Sequence, residues 1–125
     1  SEVPDATQSL CTRGVSAICL TNSNLAGSCF PSIAQAARRS RMPIFAFLGS
    51  TAEQGAVVVL TRDYFDMGRE SGLLAAQVMR GAKPATMVLH PSRKNRLLVN
   101  LNAASECGLE IPQTLLSAAD EVVGR

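Results

Sequence analysis

Three short apolar runs constrain this chain most: Val15 to Leu20 (VSAICL), Ile44 to Leu48 (IFAFL) and Ala56 to Thr61 (AVVVLT). Each is short and nearly continuous, without the polar alternation of a strand that has one wet face. Such runs read as strands buried in a parallel sheet. A sheet of that kind needs helices packed against it, which places the chain in the α/β class with a mostly parallel sheet flanked by helices.

The segments between the runs supply those helices. Pro4 suits a first helical turn, Ala6 and Leu10 share an apolar side with Val3, and Gly14 stops the helix. After the first run, the polar cluster Thr21-Asn22-Ser23-Asn24 leads to a helix over about 28–41, with Ile33, Ala36 and Ala37 inward and Arg38, Arg39 and Arg41 outward. Pro43 ends it ahead of the second run. A loop carrying Gly49 and Gly55 precedes the third run, and Asp63 is placed to cap the helix that follows. In that helix Tyr64, Met67, Gly68, Ser71, Leu74, Ala75 and Val78 recur at helical spacing, and Gly81 closes it. Thr86 to Leu89 and Arg96 to Val99 are further strand candidates. Asn100 caps a brief helix to Cys107, and Pro112 opens a last helix to about Val123. No internal repeat or linker divides residues 1–125, which read as a single α/β fragment.

Composition removes several classes of function. The 125 residues suffice for one hydrophobic core. With no Trp, few aromatics and a net charge of only +2, there is no basic or base-stacking surface for nucleic acid. The clusters Arg38-Arg39-Arg41 and Arg93-Lys94-Arg96 read as solvated surface. No stretch approaches the ~18–20 apolar residues of a membrane helix. The chain opens abruptly at Ser1 with no signal peptide, as a mature fragment would. Cys11, Cys19, Cys29 and Cys107 form no CxxC pair, and the lone His90 adds no clustered ligand, so no metal or other cofactor is expected. Cys19, inside the first run, reads as a small buried hydrophobe, and the four cysteines read as structural thiols or, in the alternative, as holding a disulfide whose pairing spacing does not fix.

Catalytic constellations are missing. The loop Gly49 to Gly55 has no lysine or following hydroxyl residue to reach phosphates and magnesium. No GxGxxG follows the first run, and no GxSxG elbow is present. Asp63, Asp66 and Glu70 are accounted for as a helix cap and an i,i+4 pair. The chain therefore reads as no enzyme, with no catalytic residues. Binding asks for less, because open α/β sheets take ligands beyond the carboxyl ends of their strands. Two loops qualify. Asn22, Ser23 and Asn24 follow the first run and read equally as a site or as a capped turn. Asp63 and Tyr64 follow the third, and Tyr64 serves equally to pack the helix.

The stretch from Gly55 to Leu89, with Asp63-Tyr64-Phe65, Gly68 and Gly81-Ala82-Lys83-Pro84, resembles the closing part of the ABC-transporter substrate-binding proteins of tryptophan and tyrosine type. So does Val99-Asn100-Leu101-Asn102-Ala103-Ala104, running on through Gly108 and Ile111-Pro112. Upstream, VSAICLTNSN and MPIFAF match the same succession. The resemblance implies a Rossmann-like lobe of a type I periplasmic-binding-protein fold. It implies the carboxyl-terminal part of a two-lobed, hinged importer component that binds a small solute, such as an amino acid, and delivers it to an ABC permease. It implies a periplasmic or other extracytoplasmic location, a lipid anchor included. By the same resemblance residues up to about 53 belong to the second lobe, 56–81 to the first, and the end returns to the second. A fragment so cut is expected to pair with a copy of itself or to swap elements. One departure stands out: Ser23-Asn24 occupies the place of an Asp-Asn pair common in the family. A neutral Ser removes an ion pair to an α-amino group, whereas Asn22 and Asn24 still exchange hydrogen bonds with a polar solute. The rival reading is the effector-binding domain of a transcription regulator or sensor built on the same fold.

Overall fold

The computed structural model describes residues 2–88, 90 and 94–124. Helix α1, Val3–Thr12, starts on Pro4, and its Thr7 hydroxyl donates back to the Val3 carbonyl. Strand β1 is Ile18–Leu20 and β2 is Ile44–Ala46, the two pairing in parallel with Ile18 opposite Ile44. Between them lie α2, Asn24–Ser28, and α3, Phe30–Arg39. The single helix expected over 28–41 is thus two. Ser23 caps the first, and Pro31, which has no N–H to continue a ladder, sits in the opening turn of the second.

Strand β3, Val58–Arg62, runs parallel to β2, and β4 is Asn95–Asn100. The Asn100 N–H donates to the Val57 carbonyl and the Asp63 N–H to the Lys94 carbonyl. Residue numbers rise along one strand as they fall along the other, so β3 and β4 run antiparallel within an otherwise parallel sheet. Helix α5, Leu101–Glu106, is followed by α6, Gln113–Ala118, and by β5, Glu121–Val123, parallel to β4. The sheet order is β1-β2-β3-β4-β5. The last helix is therefore shorter than its expected reach to Val123. Glu121-Val122-Val123 instead join the sheet beside β4, where paired β-branched residues pack well. The strand expected at Thr86 to Leu89 also gives way. Pro84–Thr86 is a turn of 3-10 helix, Met87 and Val88 carry no strand, and Leu89 lies outside the described residues.

The residues form two compact units, Ser1–Thr61 with Arg96–Arg125, and Arg62–Asn95. The larger holds the hydrophobic core. Phe30, Ile33 and Ala37 of α3 meet Ile18, Ile44, Ala46 and Val59 of the strands, and α1 covers α3. A second cluster sets Val57 against Ala103 and Ala104 of α5. Cys19 is exposed, against expectation, because in a strand its side chain takes the opposite face from the buried Ile18 and β1 is the edge of the sheet. All four cysteines are free thiols.

The smaller unit is built on α4, Tyr64–Met79, capped by Asp63 and closed at Gly81, whose φ of 99° is a left-handed conformation that glycine adopts without strain. None of the residues of α4 is buried.

Candidate functional site

In the larger unit the carboxyl ends of β1 and β2 open onto two loops. Ser23 has extended backbone, and its hydroxyl oxygen accepts from the Ala26 N–H at 3.3 Å, which fixes the start of α2. Accepting that bond leaves the hydroxyl proton able to donate elsewhere. Asn22 and Asn24 flank it, both exposed. Gly27 brings α2 close to the loop after β2, since a Cβ there would lie 2.9 Å from Leu48 Cδ2. Under this contact lies a cavity of about 10 Å³ lined by Leu20, Thr21, Ser23, Phe30 and Thr51 among others. It is too small for a solute and barely admits one water. The Thr51 hydroxyl donates to the Leu48 carbonyl at 2.6 Å and holds the loop after β2 in its turn.

Thr61, the last residue of the larger unit's first segment, is 6% exposed. Among the described residues its hydroxyl has no hydrogen-bond partner. Its side chain faces Gly49: a Cβ built there would stand 3.5 Å from Thr61 Cγ2 and 3.7 Å from Oγ1. The sequence singled out neither Thr61 nor Gly49. A threonine closing an apolar run carries no signal until its neighbours are known.

In the smaller unit Asp63 is buried and doubly engaged. Oδ1 accepts from the Asp66 N–H at 3.0 Å, and Oδ2 meets the Lys94 ammonium at 2.9 Å. The cap expected from the sequence is present, and Lys94 of the supposed solvated cluster neutralises the acid. Asp66 pairs with Arg69 at 2.9 Å rather than acting beside Glu70. Tyr64 follows with 56% of its surface exposed. The five residues expected to bind thus divide, with Asn22, Ser23 and Asn24 contiguous in one unit and Asp63 and Tyr64 contiguous in the other.

Elsewhere the basic residues find carboxylates, Arg38 with Glu106 and Arg96 with Glu121, each at 2.8 Å. The Cys107 thiol is pushed above its ordinary pKa by loss of solvent and by Glu106 beside it. A broad open hollow of about 500 Å³ on α3, lined by Pro31, Ser32, Gln35, Arg38 and Gln54, offers exposed side chains only, apart from Ala34. Among the described residues no three His, Cys, Asp or Glu side chains are grouped to hold a metal ion. No described helix is long and apolar enough to cross a membrane.

A family model described as ABC transporter substrate binding protein matches residues 1–123. Among solved structures, the ABC domain in complex with L-Trp from Streptococcus pneumoniae is 27% identical, with a TM-score of 0.87 over 98% of this chain and 41% of that one. A conserved domain protein from Vibrio cholerae is 26% identical, with a TM-score of 0.86 over 97% of this chain and 40% of that one. A ligand-free, open substrate binding protein with adhesive properties from Clostridium difficile shares the fold at 22% identity, with a TM-score of 0.75 over 99% of this chain and 41% of that one. The chain spans about two fifths of the length of these relatives. No curated protein sequence matches it.

Proposed function

The chain belongs to the ABC transporter substrate binding protein family, and from that premise we propose that it is the carboxyl-terminal part of a two-lobed, non-enzymatic protein. That protein binds a small polar solute outside the cytoplasm, an amino acid or a related molecule, and hands it to an ABC permease. The observation that carries this reading is the likeness, over 98% of the chain, to a relative solved with L-Trp bound. The chain leaves one compact unit at Thr61 and returns at Arg96, not over the expected 56–81, because β3 as far as Thr61 stays with the larger unit; such an excursion supports a polypeptide that crosses between lobes. In this reading Asn22, Ser23 and Asn24 supply hydrogen bonds to the solute. Asp63 and Tyr64 are further ligand-binding residues, Tyr64 through its exposed ring and hydroxyl and Asp63 at a helix start fixed by its cap and its Lys94 pair.

Thermal melting tests the reading, applied to the full-length protein that carries this sequence and to the 125-residue chain alone. The panel is the twenty L-amino acids, the common nucleosides and the monosaccharides. One solute is expected to raise the full-length melting temperature by several degrees, as binding to the folded state alone requires. The isolated chain, holding part of the cleft, is expected to show no rise and to elute as a dimer. A rise in the chain alone would refute the shared cleft, and a panel with no response in the full-length protein would refute the solute-binding reading.

A further inference from the structure

We infer that Thr61 contacts the solute and takes a neutral hydrogen-bonding group on it. The inference rests on the solute-binding reading above and specifies which chemistry one wall of the cleft selects.

Three observations converge. Thr61 ends the first segment of the larger unit on β3, where open α/β sheets present their ligands at strand carboxyl ends. It is 6% exposed, and its hydroxyl has no partner among the described residues. Leaving such a group unsatisfied costs about 1–3 kcal/mol, and a valine of nearly the same shape would remove that cost. A hydroxyl kept there at the expense of stability has its partner outside the fold. The third observation is Gly49. It is not among the residues with a left-handed backbone, so no turn geometry demands glycine. A Cβ there would stand at ordinary contact distance from Thr61. What glycine provides is space beside the Thr61 hydroxyl.

The loops beyond β1 and β2 point to the class of group. Residues 20–28 and 47–52, which form the loops beyond β1 and β2, contain no charged side chain. A carboxylate or ammonium brought against this wall would lose its hydration with no countercharge supplied by those loops. A hydroxyl, carbonyl, amide or ring N–H loses far less, and the threonine hydroxyl can donate to it or accept from it.

The test uses the full-length protein, calorimetric titration with the member of the panel that binds it, and melting without solute. Thr61→Val is expected to weaken binding about tenfold or more, the equivalent of one lost hydrogen bond. Its solute-free melting temperature should stay at or above wild type. Thr61→Ser keeps the hydroxyl and should retain affinity within about threefold. Gly49→Ala should fold as wild type yet bind more weakly, because the methyl fills the space beside Thr61. Unchanged binding by Thr61→Val would overturn the assignment while leaving the solute-binding reading in place. A solute-free melting temperature several degrees lower in Thr61→Val would overturn it too, by revealing a partner for the hydroxyl within the fold. A wild-type protein that binds nothing in the panel overturns both.

Discussion

In the larger unit Phe30 is 1% exposed, enclosed with Ile33 and Ile44, whereas in the smaller unit Phe65 is 85% exposed and Met79 88%. Both phenylalanines sit in helices, and α4 has apolar residues at helical spacing just as α3 does. The difference is in what the chain supplies to cover them. Helix α3 has the sheet on one side and α1 on another, so its apolar face becomes a core. Helix α4 carries Leu73, Val78 and Met79 into solvent, and none of its residues is buried. A helix with no buried residue draws little of its stability from packing, where most helical stability in proteins comes from. The apolar spacing of α4 is therefore not used to build a core among the described residues of this chain, which spans two fifths of the length of its relatives.

The largest expected effect comes from cutting the two phenylalanines. Phe30→Ala should cost about 4 kcal/mol, through lost burial and the cavity it leaves. Phe65→Ala in the same 125-residue chain should cost no more than about 0.5 kcal/mol, as surface changes do. Denaturant melts of both variants read the contrast directly. Equal losses would break it, because they would mean that Phe65 is covered. Repeating Phe65→Ala in the full-length protein sharpens the point: a cost there of about 1.5 kcal/mol or more would show that the missing polypeptide packs on α4.

Next in size is Asn100, which ties three parts of the larger unit together. Its Nδ2 donates to the Ala52 carbonyl at 2.7 Å, its Oδ1 accepts from the Ala103 N–H at 2.9 Å, and its own N–H donates to Val57. Asn100→Ala removes a helix cap and a buried bond and leaves the Ala52 carbonyl only the long 3.4 Å bond from the Gly55 N–H, for a loss of about 3 kcal/mol. Asn100→Asp should be no better, since it keeps the cap but turns an oxygen toward that carbonyl. The corresponding cap in the smaller unit, Asp63→Asn, keeps an acceptor for the Asp66 N–H and weakens the Lys94 pair, whose ammonium is mostly solvated. That change should cost well under half as much, a ranking that urea melts can check.

What the sequence made legible follows the same division. The α/β class, the three parallel strands and the caps at Asp63 and Asn100 all rest on local patterns, and all are present. Elements that depend on distant partners were harder to read. The tail 121–123 is a strand because it lies beside β4, and no local helical signal reports that. Cys19 is exposed because its strand is an edge, which strand order decides. At the candidate site Asn22, Ser23 and Asn24 were visible as a polar break after an apolar run. Thr61 and Gly49 were not, because an unpaired hydroxyl is a property of three-dimensional neighbours rather than of a residue type.

The smallest effect tests how well the larger unit tolerates its own irregularities. Arg41 has a φ of 51°, the one left-handed non-glycine residue among those described. It sits where α3 has ended and the chain turns back, with the Met42 N–H donating to the Ala37 carbonyl in the closing pattern that glycine usually serves. A side chain with a Cβ costs roughly 1 kcal/mol in this conformation, whereas glycine enters it freely. Glycine also leaves a more flexible unfolded chain, which offsets part of the gain. Arg41→Gly should therefore stabilise the chain by about 0.5 kcal/mol, seen as a small upward shift of the urea midpoint at unchanged slope. A loss of stability would mean that the Arg41 side chain contributes more than its backbone strain removes. Glycine at this helix end would then be ruled out as an improvement, and the turn after α3 would join the core as a region held by side-chain contacts.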